Sequence, residues 1–303
     1  MKPLIIEVGL NESAKKEQNP HVPYSPEEIA ADVIACAEAG ASIIHFHARD
    51  AETGANRIND TDLYLKAFEI IRSTGCDVQV YPPYEPMELD LKVRFQAVFA
   101  LVEAGQLDIG VLDMGSFNLI QFIDGEFRQT AFMPLEASVY QNSFQGLKFM
   151  LEYYADHDLI PNLAVFEPGW LQTIFAFLKT GVIRCTPLVK LFFSQQWQHG
   201  LLPDVEGLDA YVHMIRKLGE GDVEWMTVCY AMDQKSVSDE LLARSIRLGG
   251  HVRVGIGDLP VASAGQTNAD LVREIVKVGE AAGRRPATPQ EVLSLRKGSL
   301  ADQ

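Results

Sequence analysis

"PYSPEEIAADVIACAEAGASIIHFHARDAETG", residues 23–54, holds a whole helix–strand unit. Ser25-Pro26-Glu27-Glu28 supplies an N-cap, a first-turn proline and a glutamate at the third helical position that can close a capping box. Apolar spacing predicts a helix over 26–39, and Gly40 stands where the helix end needs a left-handed residue. "SIIHFH" (42–47) then reads as a buried strand. Side chains alternate along a strand, so His45 and His47 share one face and Ile44 and Phe46 the other. Two of the chain's seven histidines thus meet at a strand end. Such a pair offers two imidazole nitrogens to one point, which suits a divalent metal such as zinc. The plainer alternative is two polar residues at a strand exit, one hydrogen-bonded in the core and one solvated.

Outward from this unit the same alternation recurs. Strand-like runs are "LIIEVGL" (4–10), "SIIHFH" (42–47), "DVQVY" (77–81), "DIGVLD" (108–113), "NLAVFE" (162–167), "LVKLFF" (188–193), "EWMTVCY" (224–230) and "HVRVGI" (251–256). Amphipathic helical patterns cover 26–39, 62–73, 91–104, 143–155, 169–180, 205–218, 238–248 and 268–282, and Thr288-Pro289-Gln290-Glu291 repeats the capping device for a short terminal helix. Glycines stand at most helix ends. Eight βα units predict the α/β class and a single (β/α)8 TIM barrel over residues 1–303; a doubly wound open sheet is the alternative. One long excursion, 114–142, follows the fourth strand. Its Asp124-Gly125 reads as a hairpin turn, so the loop is expected to carry extra structure or cover the site.

Bulk properties narrow the function. A net charge of −15 argues against nucleic-acid backbones, which need clustered Lys and Arg. It leaves room for a small anion, because a few local cations dominate a pocket. No run reaches the ~18 apolar residues of a membrane span, and the N-terminus shows no signal-peptide pattern. The four cysteines are far apart, as in a reduced protein, so a cytoplasmic location is expected.

Other polar residues fall at predicted strand ends. Glu7 shares a face with Ile5, Gly9 and Asn11, and a carboxylate inside an apolar strand is costly unless paired or metal-bound. Lys190 interrupts "LVKLFF" and is either its partner, a substrate clamp or an outward-snorkelling ammonium. Arg253 shares parity with His251, Gly255 and Gly257, and Asp258 follows at the exit.

Together "MKPLIIEVGLNE", residues 23–54, "DMGSFN" and the tail "GGHVRVGIGD…SAGQTNADLVREIV…GRRPATPQEV" resemble the β-keto acid cleavage family, the 3-keto-5-aminohexanoate cleavage enzymes among them. The resemblance covers nearly the whole chain. It implies a zinc-containing (β/α)8 barrel, assembled as a homo-oligomer, that joins a β-keto acid with acetyl-CoA and exchanges the acyl parts. It implies zinc, one per subunit, on His45 and His47. It also places Arg253 and Asp258 as a pair at the chemistry, with Asp258 the base or its electrostatic support.

Several positions depart from the family pattern. Gly257 stands where the family has a third zinc ligand, a Glu, so either another carboxylate completes the site or metal binding is impaired. Glu7 is the first candidate and Asp258 the second. The exits "VYPPYEP", "SQQWQHGLLP" and "CYAMDQ" replace small residues, so Tyr81, Trp197 and Tyr230 are expected to reshape the pocket. Tyr81, Ser116, Asn118 and Asn11 are the expected substrate contacts. Two other functions compete: a metal-dependent lyase or isomerase that does not use CoA, and a metal-free barrel that binds a small carboxylate.

Overall fold

Each of the eight apolar runs becomes a barrel strand in the computed structural model, which describes residues 2–130, 139–219 and 221–297. In chain order the elements are β1 (Ile6–Gly9), α1 (Pro26–Ala39), β2 (Ile43–His45), α2 (Thr61–Ser73), β3 (Gln79–Tyr81), α3 (Leu91–Arg94), α4 (Gln96–Glu103) and β4 (Ile109–Asp113). The excursion follows with β5 (Phe117–Asn118), β6 (Gln121–Ile123), β7 (Glu126–Arg128) and β8 (Val139–Tyr140). Then come α5 (Phe144–Asp156), β9 (Ile160–Val165), α6 (Gly169–Lys179), β10 (Leu188–Phe193), α7 (Val205–Gly219), β11 (Glu224–Cys229), α8 (Lys235–Arg247), β12 (His251–Val254), α9 (Asn268–Ala281) and α10 (Pro289–Leu293).

The barrel strands are hydrogen-bonded in the order β3-β2-β1-β12-β11-β10-β9-β4, every pair parallel. β3 and β4 lie side by side where the barrel meets itself, without a ladder between them among the described residues. The expected (β/α)8 barrel is therefore present and nearly closed. Local chemistry explains the boundaries. Ser25 and Thr288 both form the capping boxes predicted for them, and Gly40 takes the left-handed conformation (φ 116°) that ends α1. The helix expected over 91–104 is broken at Phe95, which leaves helical geometry between α3 and α4.

Residues of one strand parity (Ile6, Val8, Ile44, Val80, Val189, Leu191, Val252) are almost fully buried. They fill the layer between strands and helices. Those of the other parity include Glu7, His45, Tyr81, Lys190 and Arg253, which are buried too but polar. The barrel interior is thus a hydrogen-bonded core, and that core carries the site.

The excursion folds over the C-terminal end of the barrel. Asp124 and Gly125 both adopt positive φ (53° and 81°) between the antiparallel β6 and β7, the twist that a two-residue hairpin needs. β5 pairs antiparallel with β8. The loop after β10 is stitched to the excursion by Phe122 N–H to Gln196 O (2.8 Å) and Gln198 N–H to Ile120 O (3.0 Å). The part of the excursion at 131–138 lies outside the described residues.

Candidate active site

A cavity of about 150 Å³ opens at the C-terminal end of the barrel strands. Its floor is polar, with Glu12, His45, His47, Lys190 and Arg253, while its wall is mostly aromatic.

His45 ends β2, and His47 lies two residues past it, its backbone held extended by Asn11. The Asn11 amide accepts from His47 N–H (2.9 Å) and donates to His47 O (3.0 Å), a side-chain substitute for strand pairing. The ring centroids of the two histidines are 5.2 Å apart. The carboxylate that reaches both is that of Glu12, in the turn after β1: Oε1 lies 3.2 Å from His45 Nε2 and Oε2 lies 3.0 Å from His47 Nε2. Glu12 has φ 38°, a left-handed conformation that costs ~1 kcal/mol or more and recurs at functional sites.

The chemistry of these donors fits a cation. Tyr81 O lies 3.2 Å from His45 Nδ1, and a carbonyl only accepts, so Nδ1 carries the proton. Burial pushes the His45 pKa down to about 4 even though Glu12 pulls it up, so the ring is neutral near pH 7. Its Nε2 lone pair therefore faces a carboxylate oxygen, an arrangement that repels unless a positive charge lies between them. Glu12, His45 and His47, all buried, each offer a ligand atom within 4.8 Å of the others. One carboxylate and two imidazoles suit a divalent transition metal.

Arg253 organises the carboxylates. Its Nε donates to Asp258 Oδ2 (2.9 Å), Nη2 to Asp258 Oδ1 (2.7 Å) and to Glu12, and Nη1 to Glu7 Oε1 (3.2 Å). Glu7 also accepts from the Tyr81 hydroxyl (2.6 Å), Asn162 Nδ2 (3.0 Å) and Lys190 Nζ (3.2 Å), and Lys190 Nζ donates to the Tyr81 oxygen (2.8 Å). A guanidinium has five N–H groups and an ammonium three. Among the described residues Arg253 and Lys190 each retain one N–H, and both line the cavity.

Two glycines make room for this cluster. A Cβ at Gly9 would come within 2.8 Å of the Arg253 guanidinium carbon. A Cβ at Gly257 would meet Glu12 Cγ at 2.8 Å and Gly9 O at 2.7 Å, so Glu12 occupies space that any side chain at 257 would contest.

Burial alone would raise the Glu7 pKa, but Lys190, Arg253 and the Tyr81 hydrogen bond overcome it and hold Glu7 at about 2. Burial wins at Asp258, whose pKa rises to about 6 despite Arg253. The consequences for stability differ in sign. Glu7 contributes stability above its ordinary 4.5 that is lost as pH falls toward 2. Neutral His45 contributes stability above its ordinary 6.5 that is lost as pH falls through 4, whereas protonated Asp258 contributes below its ordinary 3.8 and loses it as pH rises through 6. The last two oppose each other over the same window. With His199 and His251 also held at about 4 and Asp32 raised to about 6, three histidines outweigh two aspartates, so denaturant midpoints of chelator-treated protein are expected to decline gently between pH 6 and 4.5, then fall steeply toward pH 2. Midpoints that rise as pH falls from 6 to 4.5 would contradict this balance.

The structure brings His45, His47, Arg253 and Asp258 into one cluster but redistributes other expected roles. Glu7, the first candidate for third ligand, faces Arg253, Lys190, Tyr81 and Asn162 and does not approach the imidazoles as Glu12 does. The register explains this: Gly9 pairs with His45, and Glu7 pairs with Ile43, one layer deeper. Asp258 has both oxygens on Arg253 and does not line the cavity. Tyr81 is fully buried, stacks on His45 (centroids 4.6 Å) and anchors Glu7, so it supports the floor without lining it.

Asn11 braces His47 and is itself buried. Ser116 bonds to the backbone of Asn142 and Asn118 is exposed; strand alternation turns Phe117, between them, to the cavity instead. Trp197 and Tyr230 do line the cavity, 5.0 Å apart in a T-shaped pair. Glu12 escaped notice because strand parity does not extend into the turn that carries it; its one signal was a carboxylate just past a barrel strand.

A profile described as "beta-keto acid cleavage enzyme" matches residues 3–295. The chain belongs to the β-keto acid cleavage enzyme family. Among its relatives is the 3-keto-5-aminohexanoate cleavage enzyme of Fusobacterium nucleatum, 28% identical over 98% of this chain and 100% of that protein. The 3-dehydrocarnitine:acetyl-CoA trimethylamine transferase of Rhizobium meliloti is 28% identical over 90% of this chain and 88% of its own. The 3-oxoadipate:acetyl-CoA acetyltransferase of Cupriavidus necator is 26% identical over 97% and 94%. Among solved structures, apo ObcA superposes with a TM-score of 0.67 at 13% identity, covering 93% of this chain and 66% of that one; this likeness concerns the fold alone. No helix among the described residues is long and apolar enough to cross a membrane.

Proposed function

We propose that this β-keto acid cleavage enzyme joins a β-keto acid with acetyl-CoA and exchanges their acyl parts in a retro-Claisen-type reaction. The observation that carries the reading is the meeting of Glu12, His45 and His47 with Arg253 inside one cavity. Three relatives that share nearly the whole chain support it, two of them named as acetyl-CoA-dependent transferases. Glu12, His45 and His47 would hold a divalent metal, zinc, which when bound supplies Lewis acidity toward the keto oxygen.

The remaining N–H groups of Arg253 and Lys190 receive the substrate carboxylate from the same side of the cavity. That fixes the keto group over the imidazoles and orients C2. Asp258 is the acid–base group: with a pKa near 6 it is ionised at neutral pH yet basic enough to accept a proton from C2. In the resting geometry Arg253 covers its oxygens, so the proton crosses by a water at the guanidinium edge or by a shift of that fork. The aromatic wall excludes bulk water from the carbanionic carbon.

The test is incubation of purified enzyme with acetyl-CoA and a panel of β-keto acids. At least one is expected to yield acetoacetate together with a new CoA thioester. Cleavage that needs no CoA would favour a lyase, and no product from any acid would reject the reading. Elemental analysis checks the zinc, cell fractionation the cytoplasmic setting, and light scattering the homo-oligomer.

A further inference from the structure

Residues 45–49 supply more to the site than two imidazoles. His45 and His47 are followed at the same spacing by Arg49, which is only 2% exposed. Its hydrogen bonds go to backbone carbonyls: Nε donates to Gly54 O (2.6 Å), Nη1 to Asn11 O (3.3 Å) and Glu12 O (2.5 Å), and Nη2 to Ala14 O (2.7 Å). Three of these four acceptors belong to the turn after β1, the turn that carries Glu12. The guanidinium carbon lies 5.1 Å from the centre of the Tyr24 ring. A Cβ at Gly54 would collide with that ring, so the loop ending at Gly54 closes tightly beside the fork.

Burying a guanidinium among carbonyls is costly, because dipoles compensate a charge less fully than a carboxylate does. An apolar side chain would fill the space at less cost unless the fork has a task. What Arg49 adds is geometry: a planar fork reaches three carbonyls of one turn at once, which a single ammonium does not. Glu12 shows the result. Its backbone is left-handed (φ 38°), an unfavourable state for a residue with a Cβ. In that state it gives its carbonyl to Arg49 and its carboxylate to His45 Nε2 and His47 Nε2. Resting on the metal reading above, we propose that Arg49 is a positioning residue for the ion: it locks the turn after β1 so that the Glu12 carboxylate already stands opposite the imidazoles. The ion then binds without first ordering that turn. The stretch that carries two of the ligands thereby sets the third.

Zinc affinities of chelator-treated protein test this in a double-mutant cycle of Arg49→Lys and Glu12→Gln. Lysine keeps the charge but cannot span the carbonyls. In the wild-type background Arg49→Lys is expected to weaken zinc binding by ~10-fold or more. In the Glu12→Gln background the same change is expected to weaken it by less than ~2-fold, because the carboxylate it positions is already gone. Unchanged affinity in Arg49→Lys, or a comparable loss in both backgrounds, overturns the assignment while the metal reading stands. A wild-type enzyme that binds no zinc overturns the metal reading and the assignment with it. Should Arg49→Lys fail to fold, Tyr24→Leu takes its place in the cycle, removing the ring beneath the guanidinium and leaving the carbonyl bonds. A loss of ~3-fold confined to the background that retains Glu12 is then expected, and no loss, or one shared by both backgrounds, overturns the assignment.

Discussion

Glu12→Gln is expected to leave the enzyme with far less bound metal than wild type and to lower kcat/KM by more than ~100-fold, beyond the 10–100-fold typical of partners one shell farther out. The substitution keeps the size of the side chain and removes its charge. The histidines then lose the only carboxylate that reaches both of them among the described residues. The Arg253 guanidinium, which now rests on Glu12, also loses an anion there and repels whatever cation approaches. Both effects weaken metal binding. Elemental analysis and zinc titration read the loss of metal without reference to turnover, and steady-state kinetics reads the fall in kcat/KM. Full metal content with near-native kcat/KM would remove Glu12 from the centre.

The second large effect is on stability, at Glu7. Glu7→Gln is expected to cost ~3–5 kcal/mol of unfolding free energy, as when one partner of a buried ion pair is removed, while the metal content stays close to wild type. Glu7 is fully buried and accepts from Tyr81, Asn162, Lys190 and Arg253, so a neutral amide leaves two buried cations with less compensation. Its NH2 group would also face donors. Urea denaturation of the variant measures the loss. An unchanged midpoint, or metal lost in proportion to Glu7 carboxylate removed, would show that Glu7 serves the ion instead of the core.

The contrast between these two glutamates marks where sequence reasoning ran out. Barrel strands were legible because each apolar run is fenced by caps and glycines, and α1 starts and ends where Ser25 and Gly40 place it. Alternation correctly put His45, His47, Glu7 and Arg253 on the inner face. It carries no depth, however: the Gly9–His45 register that sets Glu7 one layer below the imidazoles is a tertiary fact. Glu12 stands in a turn with left-handed backbone, where no period applies. The same limit explains the excursion. The Asp124-Gly125 turn was readable from its residue types, but which of Ser116, Phe117 and Asn118 faces the cavity depends on the β5–β8 pairing.

The Arg253 cluster has one more consequence. Three carboxylates (Glu7, Glu12, Asp258) surround two fixed cations (Arg253, Lys190), leaving that cluster one negative charge in surplus when all are ionised. A keto acid arriving first would add to that surplus. A divalent ion arriving first reverses it by one unit, and a monocarboxylate then restores electroneutrality. The charge count thus couples the two, each tightening the binding of the other, as equilibrium binding of the acid in the presence and absence of chelator would expose.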